Sequence, residues 1–152
     1  MSAPNLFYED IELGASFVTP AHTVSADDIR QFCDLTHDHF PLHTDEAYAQ
    51  RCGFRTVIAH GLYGLSLIEG LKTRLDLYRD SSLASLGWDK VRFRHPVFAG
   101  DTVHVEFRFV DKRPSSKPGR GIVTEALRLV NQDGVVVIDA EHVALLRARA
   151  DT

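Results

Sequence analysis

The sequence predicts an α+β fold in which a curved antiparallel sheet wraps one long helix. Two patterns carry that expectation. After His60-Gly61 the chain is apolar nearly all round: Leu62, Tyr63, Leu65 and Leu67 flank a stripe of Gly64, Ile68, Leu71, Leu75 and Tyr78 at helical spacing. That marks a buried helix. The second half alternates instead. Val103, Val105, Phe107 and Phe109 interleave with Thr102, His104, Glu106 and Arg108, the period of a half-buried strand.

The other elements follow in order. Ser16 to Val24 is β-compatible. Ser25-Ala26-Asp27-Asp28 is a capping-box pattern that starts a short helix carrying Ile29, Phe32, Cys33 and Thr36. Pro41 fixes its own φ and biases Phe40 towards extended geometry, so the segment around it reads as a rigid, non-helical loop. Asp45 to Gln50 supplies one more helical turn, closed by Gly53. Val91 and Phe93 alternate with Arg92 and Arg94, and Pro96 to Asp101 connects to the next strand. Asp111 to Gly121 reads as an exposed hairpin loop. Ile122 to Val130 and Val135 to Leu146 are two further strands joined by the hairpin signal Asp133-Gly134. Four consecutive antiparallel strands around one helix leave an edge or face to cover. The chain is therefore expected to form a homodimer or a higher even-numbered oligomer.

Composition bounds the function. At 152 residues, with 44% hydrophobic and 25% charged, the chain fits one globular domain spanning 1–152. A net charge of −4 gives no global attraction to nucleic acid or an anionic membrane. No stretch approaches the roughly 18 apolar residues of a membrane span. Met1-Ser2-Ala3-Pro4-Asn5 lacks the basic and apolar regions of a signal peptide, and Cys33 and Cys52 form no metal or redox motif. A cytoplasmic protein with two free, buried thiols is the resulting expectation.

The chemistry concentrates in Asp38-His39-Phe40-Pro41-Leu42-His43. A carboxylate and an imidazole five residues apart on a proline-fixed segment suit an acid–base pair acting on one water. Seventeen residues on, His60-Gly61 opens the long helix, whose first N–H groups are ready to bind developing negative charge. His37, His39, His43 and His60 also invite a metal reading. Their spacing matches no helical H-E-x-x-H or Cys/His framework, so no metal site is assigned. His22, His95, His104 and His142 lie on strand-like segments and read as structural or surface residues. Lys112, Arg113, Lys117 and Arg120 concentrate positive charge that suits the phosphates of coenzyme A, though a solvated hairpin tip is the simpler reading.

These residues resemble the MaoC-like dehydratase and R-specific enoyl-CoA hydratase family, which has the hot-dog fold. His37-Asp38-His39-Phe40-Pro41-Leu42-His43-Thr44-Asp45 is similar to the family pattern G-D-x-N-P-x-H-x-D, with His37 in place of the Gly and Phe40 in place of the Asn. Ala59-His60-Gly61 looks like its A-H-G segment. Phe93 to Thr102 resembles the F-x-x-P-V-x-x-G-D-T junction, and Phe7 to Gly14 resembles the typical opening.

The resemblance implies reversible syn hydration of a trans-2-enoyl thioester to an R-3-hydroxyacyl thioester. Coenzyme A would be part of the substrate rather than a resident cofactor, with acyl carrier protein the less favoured carrier. By the same resemblance Asp38 and His43 are the catalytic pair, Ser66 orients Asp38, and the Gly61 amide binds the thioester carbonyl oxygen. Phe40, His60 and Leu62 are the expected substrate contacts. A hot-dog acyl-CoA thioesterase and a non-catalytic acyl-thioester-binding subunit are the competing readings.

Overall fold

A computed structural model describes residues 4–149, so Met1 to Ala3 of the N-terminus read above lie outside the described residues. After a single 3-10 turn at Tyr8–Asp10 come strands β1 (Ser16–Val18) and β2 (His22–Thr23). Helices α1 (Ala26–Thr36), α2 (Pro41–Thr44), α3 (Glu46–Arg51) and α4 (Gly61–Thr73) follow. Strands β3 (Ser82–Phe93), β4 (Thr102–Pro114), β5 (Arg120–Val130) and β6 (Val136–Arg147) complete the chain. The strands pair antiparallel in the order β1-β4-β5-β6-β3, and β2 also pairs with β4. This is the α+β, hot-dog arrangement that the sequence led us to expect.

The alternating residues behave as their period requires. Val103, Val105, Phe107 and Phe109 of β4 are all buried, as are Val123, Leu127 and Leu129 of β5. Ile68 and Leu71 of α4 lie in the same core, and Gly64 is the point of closest approach. A Cβ at Gly64 would sit 2.5 Å from Cδ1 of Ile138, so any larger residue would have to push the tip of that buried side chain aside. Ser25 caps α1 through the anticipated box: its hydroxyl accepts from the Asp28 N–H, and the Asp28 carboxylate accepts from the Ser25 N–H.

Several boundaries differ from the sequence expectation, each for a physical reason. Pro20 interrupts the Ser16–Val24 strand, leaving β1 and β2 as separate partners of β4. Helix α4 stops at Thr73, before Leu75 and Tyr78, because Asp76 turns the chain at φ 55°. It is also less enclosed than its composition implied, with Leu62 64% exposed. Strand β3 begins nine residues before Val91, at Ser82. As a bulged edge strand it buries neither face and shows no alternation. The charged segment from Asp111 is mostly paired backbone, with Arg113 opposite Ile122, and only 115–119 form the turn. Of the two free thiols, Cys33 is buried but Cys52 is exposed.

One buried polar network lies beneath the C-terminal end of α4. Lys72 reaches Glu125, which occupies an inward position of β5 and is 1% exposed. The Tyr78 hydroxyl donates to Glu125 at 2.6 Å, and the His142 imidazole lies 3.1 Å from the same carboxylate. Burial opposes ionisation of Glu125. The His142 and Tyr78 hydrogen bonds and the Lys72 charge outweigh it, holding the carboxyl at about 2. Lys72→Ala should therefore destabilise the fold by about 3–5 kcal/mol, because it strands a buried carboxylate. Urea denaturation at pH 7 checks this. The stabilisation by Glu125 should be complete above the ordinary carboxyl range and vanish as pH falls towards about 2, since its folded-state affinity for protons is depressed.

Candidate active site

The Asp38 segment is held by backbone geometry. Helix α1 ends at His37, whose φ of 63° is left-handed, and this turns the chain sharply into Asp38. The glycine of the family pattern would suit this position without strain; a histidine there costs on the order of 1 kcal/mol. The Asp38 carboxylate accepts from the Phe40 N–H at 3.3 Å and is half exposed. Pro41 does not keep the segment non-helical. It opens α2, the first-turn position where its missing N–H costs nothing, and places His43 on that turn. Asp45 then caps α3 by accepting from the Tyr48 N–H at 3.0 Å.

His43 is clamped by the strand-like segment before α4. Its Nδ1 lies 2.7 Å from the Ile58 carbonyl, while the Ile58 N–H donates to the Leu42 carbonyl at 3.0 Å. A carbonyl only accepts, so the proton sits on Nδ1 and Nε2 keeps its lone pair. Burial pushes the His43 imidazole below its usual value of 6.5, partly opposed by the Ile58 bond; the neighbouring His60 lowers it further and Asp38 raises it. The His43 and His60 rings stack with centroids 3.7 Å apart.

His60 is the N-cap of α4 and makes no side-chain bond to the first-turn amides. Those N–H groups therefore have no side-chain cap, and Gly61 stands first among them. A cavity of about 600 Å³ brings Asp38, His43, His60, Gly61 and Leu62 together. Phe32, Phe54, Phe93 and Ile138 make much of its wall apolar, and Arg94 and His95 also line it. Ligand atoms of Asp38, His43 and His60 lie within 4.8 Å of one another. Such a triangle would also accept a cation, through the Asp38 carboxylate and the His43 Nε2 lone pair, while the His60 Nε2 is engaged by the Asp38 carbonyl.

Two of the sequence-derived site residues are elsewhere. The Ser66 hydroxyl donates to the Leu62 carbonyl at 2.9 Å, within its own helix, and makes no bond to Asp38. Phe40 does not line the cavity: it is 51% exposed and meets Tyr48 edge-on with centroids 6.0 Å apart. Phe40 is extended, at φ −57° and ψ 138°, as its place before Pro41 requires, yet its ring turns to Tyr48. Lys112, Arg113, Lys117 and Arg120 are likewise absent from the cavity wall. The residues that sequence reasoning missed are Phe32, Arg94, His95 and Ile138. Only the P-V junction after His95 signalled that this stretch approaches the site.

Comparison with known proteins gives the family. Residues 10–130 match the model of the MaoC like domain. The chain belongs to the MaoC-like dehydratase family. It is 35% identical over 159 residues to the (R)-specific enoyl-CoA hydratase of Rhodospirillum rubrum, covering 98% of this chain and 99% of that one. Protein MaoC of Klebsiella aerogenes is 34% identical over 114 residues, covering 75% of this chain but only 33% of that longer protein. The solved structure of a monoamine oxidase regulatory protein from Archaeoglobus superposes with a TM-score of 0.90 at 35% identity, covering 99% of this chain and 100% of that one.

Gly61 offers a test of the MaoC-like site. A Cβ there would fall 2.6 Å from the Phe93 ring. Gly61→Ala should displace that exposed ring from the cavity wall and cut hydro-lyase turnover at least tenfold. Thermal melting should change little, because the contact is with a half-exposed ring rather than with backbone. Parallel turnover and melting measurements separate the two effects.

Proposed function

We propose that this MaoC-like hydro-lyase reversibly adds water to a trans-2-enoyl thioester, with coenzyme A as the carrier. The observation that carries this reading is the shared cavity of Asp38, His43 and the amide-presenting start of α4. Conjugate addition needs a base for water, a proton for the α-carbon and a place for charge on the thioester oxygen. The Gly61 amide supplies the third, an oxyanion contact of a kind that contributes on the order of 3 kcal/mol.

The tautomer of His43 supports a division of labour for the other two. Its Nε2 lone pair takes one proton from a water that Asp38 orients through the other O–H. The resulting hydroxide adds to the β-carbon, and the imidazolium is stabilised by the Asp38 carboxylate. That same proton then passes to the α-carbon, so both new bonds form on one face, as syn addition requires. Phe32, Phe54 and Ile138 exclude bulk water around the acyl chain. The chemistry proceeds with no metal or resident cofactor, so dialysis against EDTA should leave turnover unchanged. The two unpaired thiols fit a reducing, cytoplasmic setting.

A homodimer completes this proposal. Strand β3 is a 12-residue edge, paired only with β6, and it exposes Leu83, Leu86 and Phe93. Phe93 lines the catalytic cavity, so a second copy on this edge would lie beside the site. Light scattering should give twice the mass of one chain, and Leu86→Lys should shift it towards monomer. An active monomer would refute the pairing.

Asp38→Asn and His43→Ala should each lower hydration by about 10²–10⁴-fold with unchanged circular dichroism, read as loss of conjugated-enoyl absorbance. Release of free thiol from saturated acyl-CoA at a comparable rate would instead favour a thioesterase. The base must be unprotonated, and burial depresses His43. Activity should therefore persist as pH falls through 6.5 and decline only below it, about tenfold per pH unit.

A further inference from the structure

We infer that His60 is a positioning residue that couples the two catalytic groups. It holds Asp38 by its main chain and carries His43 on its ring face. The inference rests on the assignment of Asp38 and His43 as the catalytic pair.

Three observations support it. The His60 Nε2 lies 3.0 Å from the Asp38 carbonyl oxygen and 3.9 Å from its carboxylate. Because a carbonyl only accepts, this nitrogen carries the ring proton and donates it to the Asp38 backbone. The His43 ring stacks on His60 at 3.7 Å and 23°, which fixes the plane in which the His43 Nε2 is presented. Phe32 of α1 also packs on the ring, tilted by 57° with centroids 4.9 Å apart, so residues of two helices, α1 and α2, hold it.

A direct substrate contact fits these facts less well. His60 is 4% exposed, and its Nδ1 is buried with no hydrogen-bond partner among the described residues. Its one donor is already committed to Asp38. Cys33 Sγ, 3.6 Å from the same nitrogen, is only a weak acceptor. The nitrogen left over, Nδ1, is an acceptor, and so is a thioester carbonyl, so the ring offers the substrate no donor. What the ring does control is the spacing of carboxylate and imidazole, and a misplacement of about 1 Å in such a pair can cost 10²-fold.

The test compares His60→Phe, His60→Gln and wild type. Phenylalanine keeps the stacking and the burial but removes the donor to Asp38; glutamine keeps a donor but removes the aromatic face. His60→Phe should lower kcat about 10²-fold with KM changed less than about threefold. His60→Gln should recover part of that loss.

His60 also helps depress His43, so the acidic limb of the His60→Phe profile should move to higher pH. The other titratable or charged groups around His43 in this cavity are Asp38, Arg94 and His95. These remain in both variants, so the shift reports on His60. A role in packing alone would lower the melting temperature and leave the limb in place. A substrate contact would raise KM instead.

Imidazole nitrogen NMR of the wild-type protein supplies a readout that needs no variant. It should find His60 protonated at Nε2 and His43 at Nδ1. Protonation of His60 at Nδ1 would overturn the inference, as would wild-type kcat in His60→Phe. If Asp38→Asn and His43→Ala keep wild-type turnover, the catalytic pair itself is refuted, whatever His60 does.

Discussion

Helix α4 rests on its sheet with Gly64 against the tip of the buried Ile138 side chain, and much of the site depends on that approach. A side chain at this position would lift the N-terminal half of the helix from β6. Gly61 lies one turn earlier, so the same lift would move its amide relative to Asp38 and His43. The opposite end of the helix is fixed by Lys72 on Glu125, within the sheet. One helix is thus anchored at a small residue and at a buried ion pair. Its first turn then becomes a fixed electrostatic feature of the cavity rather than a frayed end.

Much of this was legible in the residues, for reasons that differ by element. The alternation over Val103 to Phe109 reads directly because β4 has one wet and one dry face. Ser25 and Asp28 announce α1 because the capping box is local chemistry, independent of tertiary context. Strand β3 was mostly invisible because an edge strand with bulges has no dry face to impose a period. The Lys72–Glu125 pair was equally hidden: a charged residue in an alternating strand normally marks the wet face, and here tertiary pairing reverses that rule.

Within the site, the motif located Asp38, His43 and Gly61 together, but it misjudged neighbours whose roles depend on local backbone. His37 replaces a glycine at a position where the chain needs positive φ, and the turn survives at modest cost. Phe40 replaces a polar residue, yet the helical turn begun by Pro41 carries its ring to Tyr48 and away from the cavity. Both substitutions leave the path from α1 to His43 intact. The departures from the family pattern therefore act at the surface of the loop, while Asp38, His43 and Gly61 still share one cavity.

The two polar clusters at opposite ends of α4 show how one core supports both rigidity and reactivity. Around Glu125 each carboxylate oxygen has a donor, from Lys72, Tyr78 or His142, and a network this complete resists rearrangement. Around Asp38 the accounting is left open. The carboxylate is half exposed, the His43 Nε2 has no proton to give in its resting tautomer, and the His60 Nδ1 is unpaired. Unspent hydrogen-bonding capacity is costly in a core, and it persists where surrounding structure over-determines the geometry. Here the clamp at Ile58, the cap at Asp45 and the proline at α2 supply that over-determination. In the proposed reaction a water would use the open capacity of Asp38 and of the His43 Nε2.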